Sequence, residues 1–312
     1  MVNVENIEFP VYRVDGYPKQ NLDKVQALFT KAFGGRMLSI QGLIWQMENN
    51  PCLKERALSL WDNEFLVAYT ALTPGAAFYS GKEIIAAVSG TTMADADYPG
   101  ASFQLFSECK NKNNDVNLIY GFPNRNSFNI CVKYLKHRHV GDVAFWTARA
   151  KKKNVSNKIM QFDSFSNEYE KISRALAKEH VFIKTRKKEY LNWRFFQKPG
   201  NIYKCFEYIN DGQRQGYIVV DTYEENSVIQ LQVVDLIADT KAVLKELLRY
   251  AINLAVEWNC RFIKLWLTSA QYNDVLEECG FTYGEHPFPM TCWMQEFDLS
   301  NSYITMADSD IF

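Results

Sequence analysis

Residues 190–203 read YLNWRFFQKPGNIY. The stretch holds five aromatics, Arg194, Lys198 and a Pro199–Gly200 break. That is too rich for a surface connector and too interrupted for one continuous core helix. A helix end docking on a core accounts for it locally. Its position says more, because the segments on either side follow the same order of strands and helices. The stretch falls where one half of the chain hands over to the other.

On its C-terminal side, 203–209 and 216–221 predict strands paired across Asp211 and Gly212, and 228–236 predicts a third. Residues 239–258 put Leu244, Leu247, Leu248, Ala251, Leu254, Ala255 and Trp258 on one helical face. A strand at 261–267, a helix at 270–279 stopped by Gly280, and a last strand at 290–297 complete this half. On the N-terminal side, 21–33 and 39–48 predict helices, the second capped by Ser39. A hairpin at 56–61 and 65–72, a long strand at 83–93 (EIIAAVSGTTM), a helix at 101–110, a strand at 116–120, a helix at 124–135 and a strand at 143–148 follow. Residues 151–158, KKKNVSNK, read as a solvated linker, with a nucleic-acid patch as the sharper alternative. Helices at 167–178 and 187–197 lead into the central stretch.

Corresponding strands recur at offsets of 147 (56 to 203), 144 (84 to 228), 145 (116 to 261) and 147 (143 to 290). Such constancy points to a duplication, against chance agreement of coarse assignments. The expected division is a first half at 1–150, a connector at 151–202 and a second half at 203–312.

Composition bounds the function. With 312 residues, 47% of them hydrophobic and 23% charged, the chain has the material for roughly two domains. A net charge of −1 provides no general attraction to nucleic acid or to an anionic membrane. Seven cysteines without CxxC spacing read as core residues of a reducing compartment. His137 and His139 lack a third ligand nearby, so no metal is expected. The absence of a secretion signal and of any long apolar span predicts a cytoplasmic protein.

The order hairpin, long strand, helix, strand, helix, strand resembles the acyl-CoA N-acyltransferase fold of the GNAT superfamily, here twice: a mixed-sheet α/β fold with two similar halves. SAQYNDVLEECGF at 269–281 is similar to that superfamily's late helix entering a strand. GFPNRNSFNICVKYLK at 121–136, YLNWRF at 190–195 and MADSDIF at 306–312 resemble two-half GNAT proteins of bacterial surface-polysaccharide pathways.

The resemblance implies an acyl-CoA donor, acetyl-CoA or another, lying along the free edge of the long strand at Thr91, Thr92 and Met93. Its pyrophosphate would meet the helix start at Gly100, Ala101, Ser102 and Phe103, and its pantetheine arm Asn124 and Ser127. The family's phosphate-loop positions hold Pro99, Ser102 and Gln104 here, and Asp95 and Asp97 add negative charge nearby. Tyr120 and Tyr134 are the candidate acids and Glu48 the candidate base, with core aromatics the competing reading of the tyrosines. Asn124 is equally explained as a helix cap. Trp45, Trp193 and Arg194 are candidates for a sugar pocket, in competition with simple packing around a buried ion pair.

The implied activity is transfer of an acyl group, most simply acetyl, to an amine on an amino sugar or nucleotide sugar. Two other functions compete. An aminoacyl-tRNA-dependent transferase of the peptidoglycan-bridge type would use the basic runs at 151–153 and 185–188. A catalytically silent GNAT-like module would bind a ligand or partner.

Overall fold

Leu22, Val25 and Leu28 share one face of helix α1 (Leu22–Ala32), and that face is buried. Ser39 begins helix α2 (Ile40–Glu48) by accepting a hydrogen bond from the Gly42 amide at 3.2 Å, as its position before an apolar run predicts. The computed structural model describes residues 10–34, 38–53, 55–200, 202–293 and 296–309. Residues 310–312 of the closing motif lie outside them.

A short strand β1 (Arg13–Asp15) precedes these helices, and after them come β2 (Ala57–Asp62), β3 (Phe65–Tyr79) and β4 (Lys82–Ala94). The β3–β4 hairpin is longer than its sequence suggests. Its turn is Ser80–Gly81, with φ of 47° and 77°, the left-handed pair that a tight hairpin needs. Then follow α3 (Ala101–Lys112), β5 (Leu118–Gly121), α4 (Arg125–Asn129), continued by a π turn at Ile130–Tyr134, and β6 (Arg138–Arg149).

The chain continues through β7 (Ile159–Phe162), α5 (Glu168–Leu176), β8 (Phe182–Lys184) and α6 (Lys188–Phe195). The second half contains β9 (Lys204–Asn210), β10 (Gln213–Glu225), β11 (Val228–Ala238), α7 (Lys241–Glu257), β12 (Phe262–Leu265), α8 (Asn273–Cys279), β13 (Thr282–Cys292) and β14 (Ser302–Tyr303). Strands β2 to β6 recur as β9 to β13 at offsets, between starting residues, of 147, 148, 146, 144 and 144.

The two halves are interleaved. The path through the sheet runs β1-β2-β3-β4-β5-β13-β6-β12-β11-β10-β9-β7. Strand β13 of the second half therefore lies between β5 and β6 of the first, and β6 lies between β13 and β12. The central β6–β13 pair is antiparallel, from Thr147 opposite Thr282 to Arg138 opposite Cys292. Each half thus completes the other's ladder, leaving neither with an open edge at the junction.

The last strand begins at Thr282, well before the expected 290. Gly284, Pro287 and Pro289 read as turn residues, yet β6 tolerates them because the ladder breaks register three times along this strand. Residues 151–158 run along α7. The Lys153 backbone exchanges hydrogen bonds with the Asn253 amide at 2.7 and 2.9 Å, and the Ser156 amide donates to Glu246 at 2.8 Å. Among the described residues no helix is long and apolar enough to cross a membrane.

Apolar clusters lie on both faces of the sheet. Leu105 and Cys109 of α3 meet Leu58, Val67 and Ile119, while Val25, Leu28 and Leu43 of α1 and α2 meet Trp61, Tyr69 and Met93. Strand β4 contributes to both layers, Ala87 to the first and Met93 to the second, and β5 contributes Ile119 to the first, which positions the cleft described next.

Candidate active site

Parallel strands β4 and β5 pair only from Ala86–Val88 to Leu118–Tyr120. Beyond that they part. Gly121 stands at the fork, where an added Cβ would come within 3.3 Å of the Ser89 carbonyl oxygen. On its other side β4 carries a bulge. Tyr69 pairs with Met93 and Ala71 with Gly90, so Thr91 and Thr92 together face Thr70. Thr91 adopts φ 49°, an unusual conformation for a β-branched residue, and the Thr70 and Thr92 hydroxyls are bonded at 2.7 Å. A bulge leaves one residue more than the ladder can pair.

The fork opens into a cavity of about 680 Å³, within the usual range for a small-molecule site. Ser89 to Ala94 form one wall, Ile119 to Asn124 another, and Ser102, Leu105 and Phe106 of α3 a third. Phe29, Phe33 and Leu38 close it near α1, and Phe288 and Thr291 come from β13 of the other half.

Helix α3 begins at this cavity. Gly100, at φ 82°, is its N-cap, a left-handed position that glycine occupies without strain. Two contacts brace the loop before it. The Tyr12 hydroxyl donates to the Pro99 carbonyl at 3.0 Å, and the Gln104 side-chain amide bonds both the Tyr12 amide and carbonyl, at 3.0 and 2.8 Å. Gln104 is therefore occupied in holding the loop. Lys31 bridges Asp95 and Asp97 at 2.7 and 2.8 Å, offsetting the negative charge expected to oppose phosphate. Burial pushes the Asp95 carboxyl up, but the hydrogen bond and charge of Lys31 together with the Asp97 amide outweigh it and leave the group below its ordinary range.

The structure brings Thr91, Thr92, Met93, Ser102, Asn124, Ser127 and Tyr120 to the cavity. Gly100 and Ala101 form the helix start beside it, Ala101 being buried, while Phe103 is about half exposed. Asn124 does cap α4, its side-chain oxygen accepting from the Asn126 and Ser127 amides at 3.0 Å.

Other expectations are corrected by the packing. The Tyr120 hydroxyl is buried and donates to the Asp308 carbonyl at 2.7 Å, and burial raises its pKa, so it ties down the C-terminal segment rather than standing free as an acid. Tyr134 is exposed at the end of the π turn and is absent from the cavity wall. Glu48 accepts from Lys19 at 2.6 Å and Tyr17 at 3.3 Å, away from the cavity. Trp45 and Trp193 stack on each other at 4.4 Å, and Arg194 is buried with its guanidinium against Tyr203. None of these three lines the cavity, which favours the packing interpretation over a sugar pocket.

Sequence reading missed Gly121, Phe122, His137, Phe288 and Thr291. The glycine within GFPN was a usable signal for the fork, whereas the two β13 residues arrive only through strand exchange. Among the described residues no group of three or more His, Cys, Asp and Glu side chains could hold a metal.

The second half has the same fork in closed form. Strands β11 and β12 pair in parallel from Gln230–Val233 to Phe262–Leu265, and β11 has a bulge at Val234. The chain's own residues 302–308 occupy the space beyond. Tyr303 donates to the Leu236 carbonyl at 3.0 Å, the Ile304 amide to Thr268 at 3.1 Å, and Thr305 to Asp235 at 2.8 Å. Arg186 completes the closure, bonding Asp235 at 2.9 Å and Asp308 at 3.5 Å. Of the two forks, the one in the first half is open.

A forked parallel pair, a bulge at the fork and a helix start above it, repeated in two halves, define the GNAT, or acyl-CoA N-acyltransferase, fold. Solved structures agree. A GCN5-related N-acetyltransferase from Anabaena variabilis superposes with a TM-score of 0.67 at 10% identity, over 90% of this chain and 72% of that one. A putative acetyltransferase from Pyrococcus horikoshii gives 0.62 at 12% identity over 95% of both chains. N-myristoyltransferase from Saccharomyces cerevisiae, solved with bound myristoyl-CoA, gives 0.64 at 12% identity, over 93% of this chain and 85% of that one. No protein-family model matches the sequence, nor does any curated protein. At these identities the likeness establishes the fold.

Proposed function

We propose that the protein is an acyl-CoA-dependent N-acyltransferase whose donor occupies the first-half cleft. The observation that carries this reading is the parting of β4 from β5 at Gly121, beside the Thr91–Thr92 bulge and below the start of α3. The donor's arm would lie along Ser89 to Ala94, bonding the strand edge as another strand would. Its pyrophosphate would sit at Gly100, Ala101, Ser102 and Phe103, where backbone N–H groups and the helix dipole favour an anion. An amide at the bulge would steady the oxygen of the thioester carbonyl as the acceptor nitrogen attacks its carbon. The C–N bond forms, the C–S bond breaks, the acceptor loses a proton and the thiolate gains one.

The acceptor is an amine. For an amino sugar the support is the sequence resemblance alone, since Trp45, Trp193 and Arg194 engage one another and their neighbours. The tRNA-dependent alternative loses one of its basic runs: Arg186 is buried, and Lys187 pairs with Glu83 at 2.5 Å.

Thermal unfolding with acetyl-CoA tests the donor assignment. At about one hundred times the dissociation constant, a ligand specific for the native state adds roughly 2.7 kcal/mol and raises Tm. No shift with CoA or any acyl-CoA at millimolar concentration would exclude this function.

A further inference from the structure

The cavity wall contains a titratable side chain that the proposed chemistry does not use. His137 follows the π turn and is only 9% exposed, yet its Nε2 has no hydrogen-bond partner among the described residues. The residue is fixed on two sides. Its amide donates to the Cys131 carbonyl at 2.9 Å, and its ring meets Trp293 edge to face with centroids 4.2 Å apart. The Trp293 amide in turn donates to the Ile119 carbonyl on β5 at 3.2 Å, tying the pair to the fork.

The cavity wall is mixed, with Ser102, Asn124, Ser127 and Thr291 among its polar members. Leu105 and Phe106 of α3, Ile119 of β5, and Ile130 and Cys131 of the π turn share the wall with His137. Buried polar groups in folded proteins are nearly always bonded, so an unpaired imidazole nitrogen beside a ligand-sized cavity calls for a partner from outside the chain.

We propose that His137 is a binding residue of the donor site, its imidazole hydrogen-bonding an uncharged hydroxyl or amide of the acyl-CoA, on the pantetheine arm or on the acyl group. This rests on the donor assignment above. Burial, with Lys110 adding to it, holds the His137 pKa down at about 4, so near pH 7 the ring is neutral, with one donor and one acceptor nitrogen. Such a ring matches a hydroxyl or an amide better than a carboxylate or phosphate, which would call for a cation.

The test is titration calorimetry of CoA, acetyl-CoA and 3-hydroxybutyryl-CoA into wild type, H137F and H137Q, with imidazole 15N shifts of wild-type His137 followed in parallel. H137F is expected to weaken binding about tenfold, the value of one hydrogen bond, and H137Q to recover most of it. Equal loss with all three ligands assigns the bond to the arm, and loss confined to the hydroxyacyl ligand assigns it to the acyl group. In either case the wild-type ring shifts move on saturation. Wild-type affinity in H137F together with unmoved ring shifts overturns the role of His137 and leaves the donor assignment standing. Failure of wild type to bind any of the three overturns both. If H137F does not fold, the wild-type ring shifts decide the matter.

Discussion

Trp45 and Trp193 exchange hydrogen bonds. Each indole N–H donates to the other residue's backbone carbonyl, at 2.9 and 3.0 Å, while the rings stack 4.4 Å apart. Two residues 148 positions apart thereby join α2 of the first half to α6 of the connecting segment. Both indole donors are spent on this contact, so the pair acts as a clamp between elements.

Trp193→Ala removes a buried indole and should destabilise the protein by about 3–5 kcal/mol in denaturant unfolding. At a temperature where the variant is folded, affinity for an acyl-CoA should be unchanged. A variant of normal stability with impaired acceptor binding would instead restore the substrate-pocket role.

Gly121→Val should close the fork. Its Cβ would come within 3.3 Å of the Ser89 carbonyl, and the added methyls would project into the space the donor arm needs. The expectation is at least tenfold weaker acyl-CoA binding by calorimetry, with a stability change within the ordinary range of about 1–3 kcal/mol. Undiminished binding would place the donor elsewhere.

Ser102→Glu should have effects of opposite sign on stability and binding. A carboxylate in the first turn of α3 favours the helix by about 0.3–1 kcal/mol. The same charge repels a pyrophosphate, so Tm of the free protein should hold or rise while the acyl-CoA-induced shift shrinks or vanishes. An unaltered shift would argue against phosphate at this helix start.

His137 should make stability depend on pH below neutrality. Its folded pKa of about 4 lies below the ordinary 6.5, so between those values the unfolded chain binds the extra proton. Stability associated with this residue is therefore fully present above pH 6.5 and falls as pH drops toward 4, by roughly 3 kcal/mol in all. Urea unfolding at pH 7 and pH 4.5 should show wild type losing more than H137F, and equal losses would show that the ring titrates normally.

Much of the open cleft was legible in the sequence because local features build it. The run EIIAAVSGTTM supplies the long strand, Gly100 the helix start, and Asn124 the cap of α4. The roles given to Tyr120, Glu48, Trp45, Trp193 and Arg194 were not legible, because each depends on a partner distant in sequence. Tyr120 meets Asp308, 188 residues away, and nothing near Tyr120 announces that bond. The strand at Thr282–Cys292 was obscured by its own glycine and prolines, which only the irregular pairing with β6 accommodates.

By itself the sequence determined the order of helices and strands and the repeat of that order at an offset near 146 residues. Periodicity, capping and turn chemistry act within a few residues, so they can be read along the chain. Only the tertiary structure decided that β6 and β13 change places, that residues 302–308 close the second fork while the first stays open, and that Trp45 and Trp193 satisfy each other. Those outcomes depend on packing and on hydrogen bonds between segments distant in sequence, from 36 residues apart for Thr268 and Ile304 to 148 for Trp45 and Trp193, where partner choice is settled by the assembled fold.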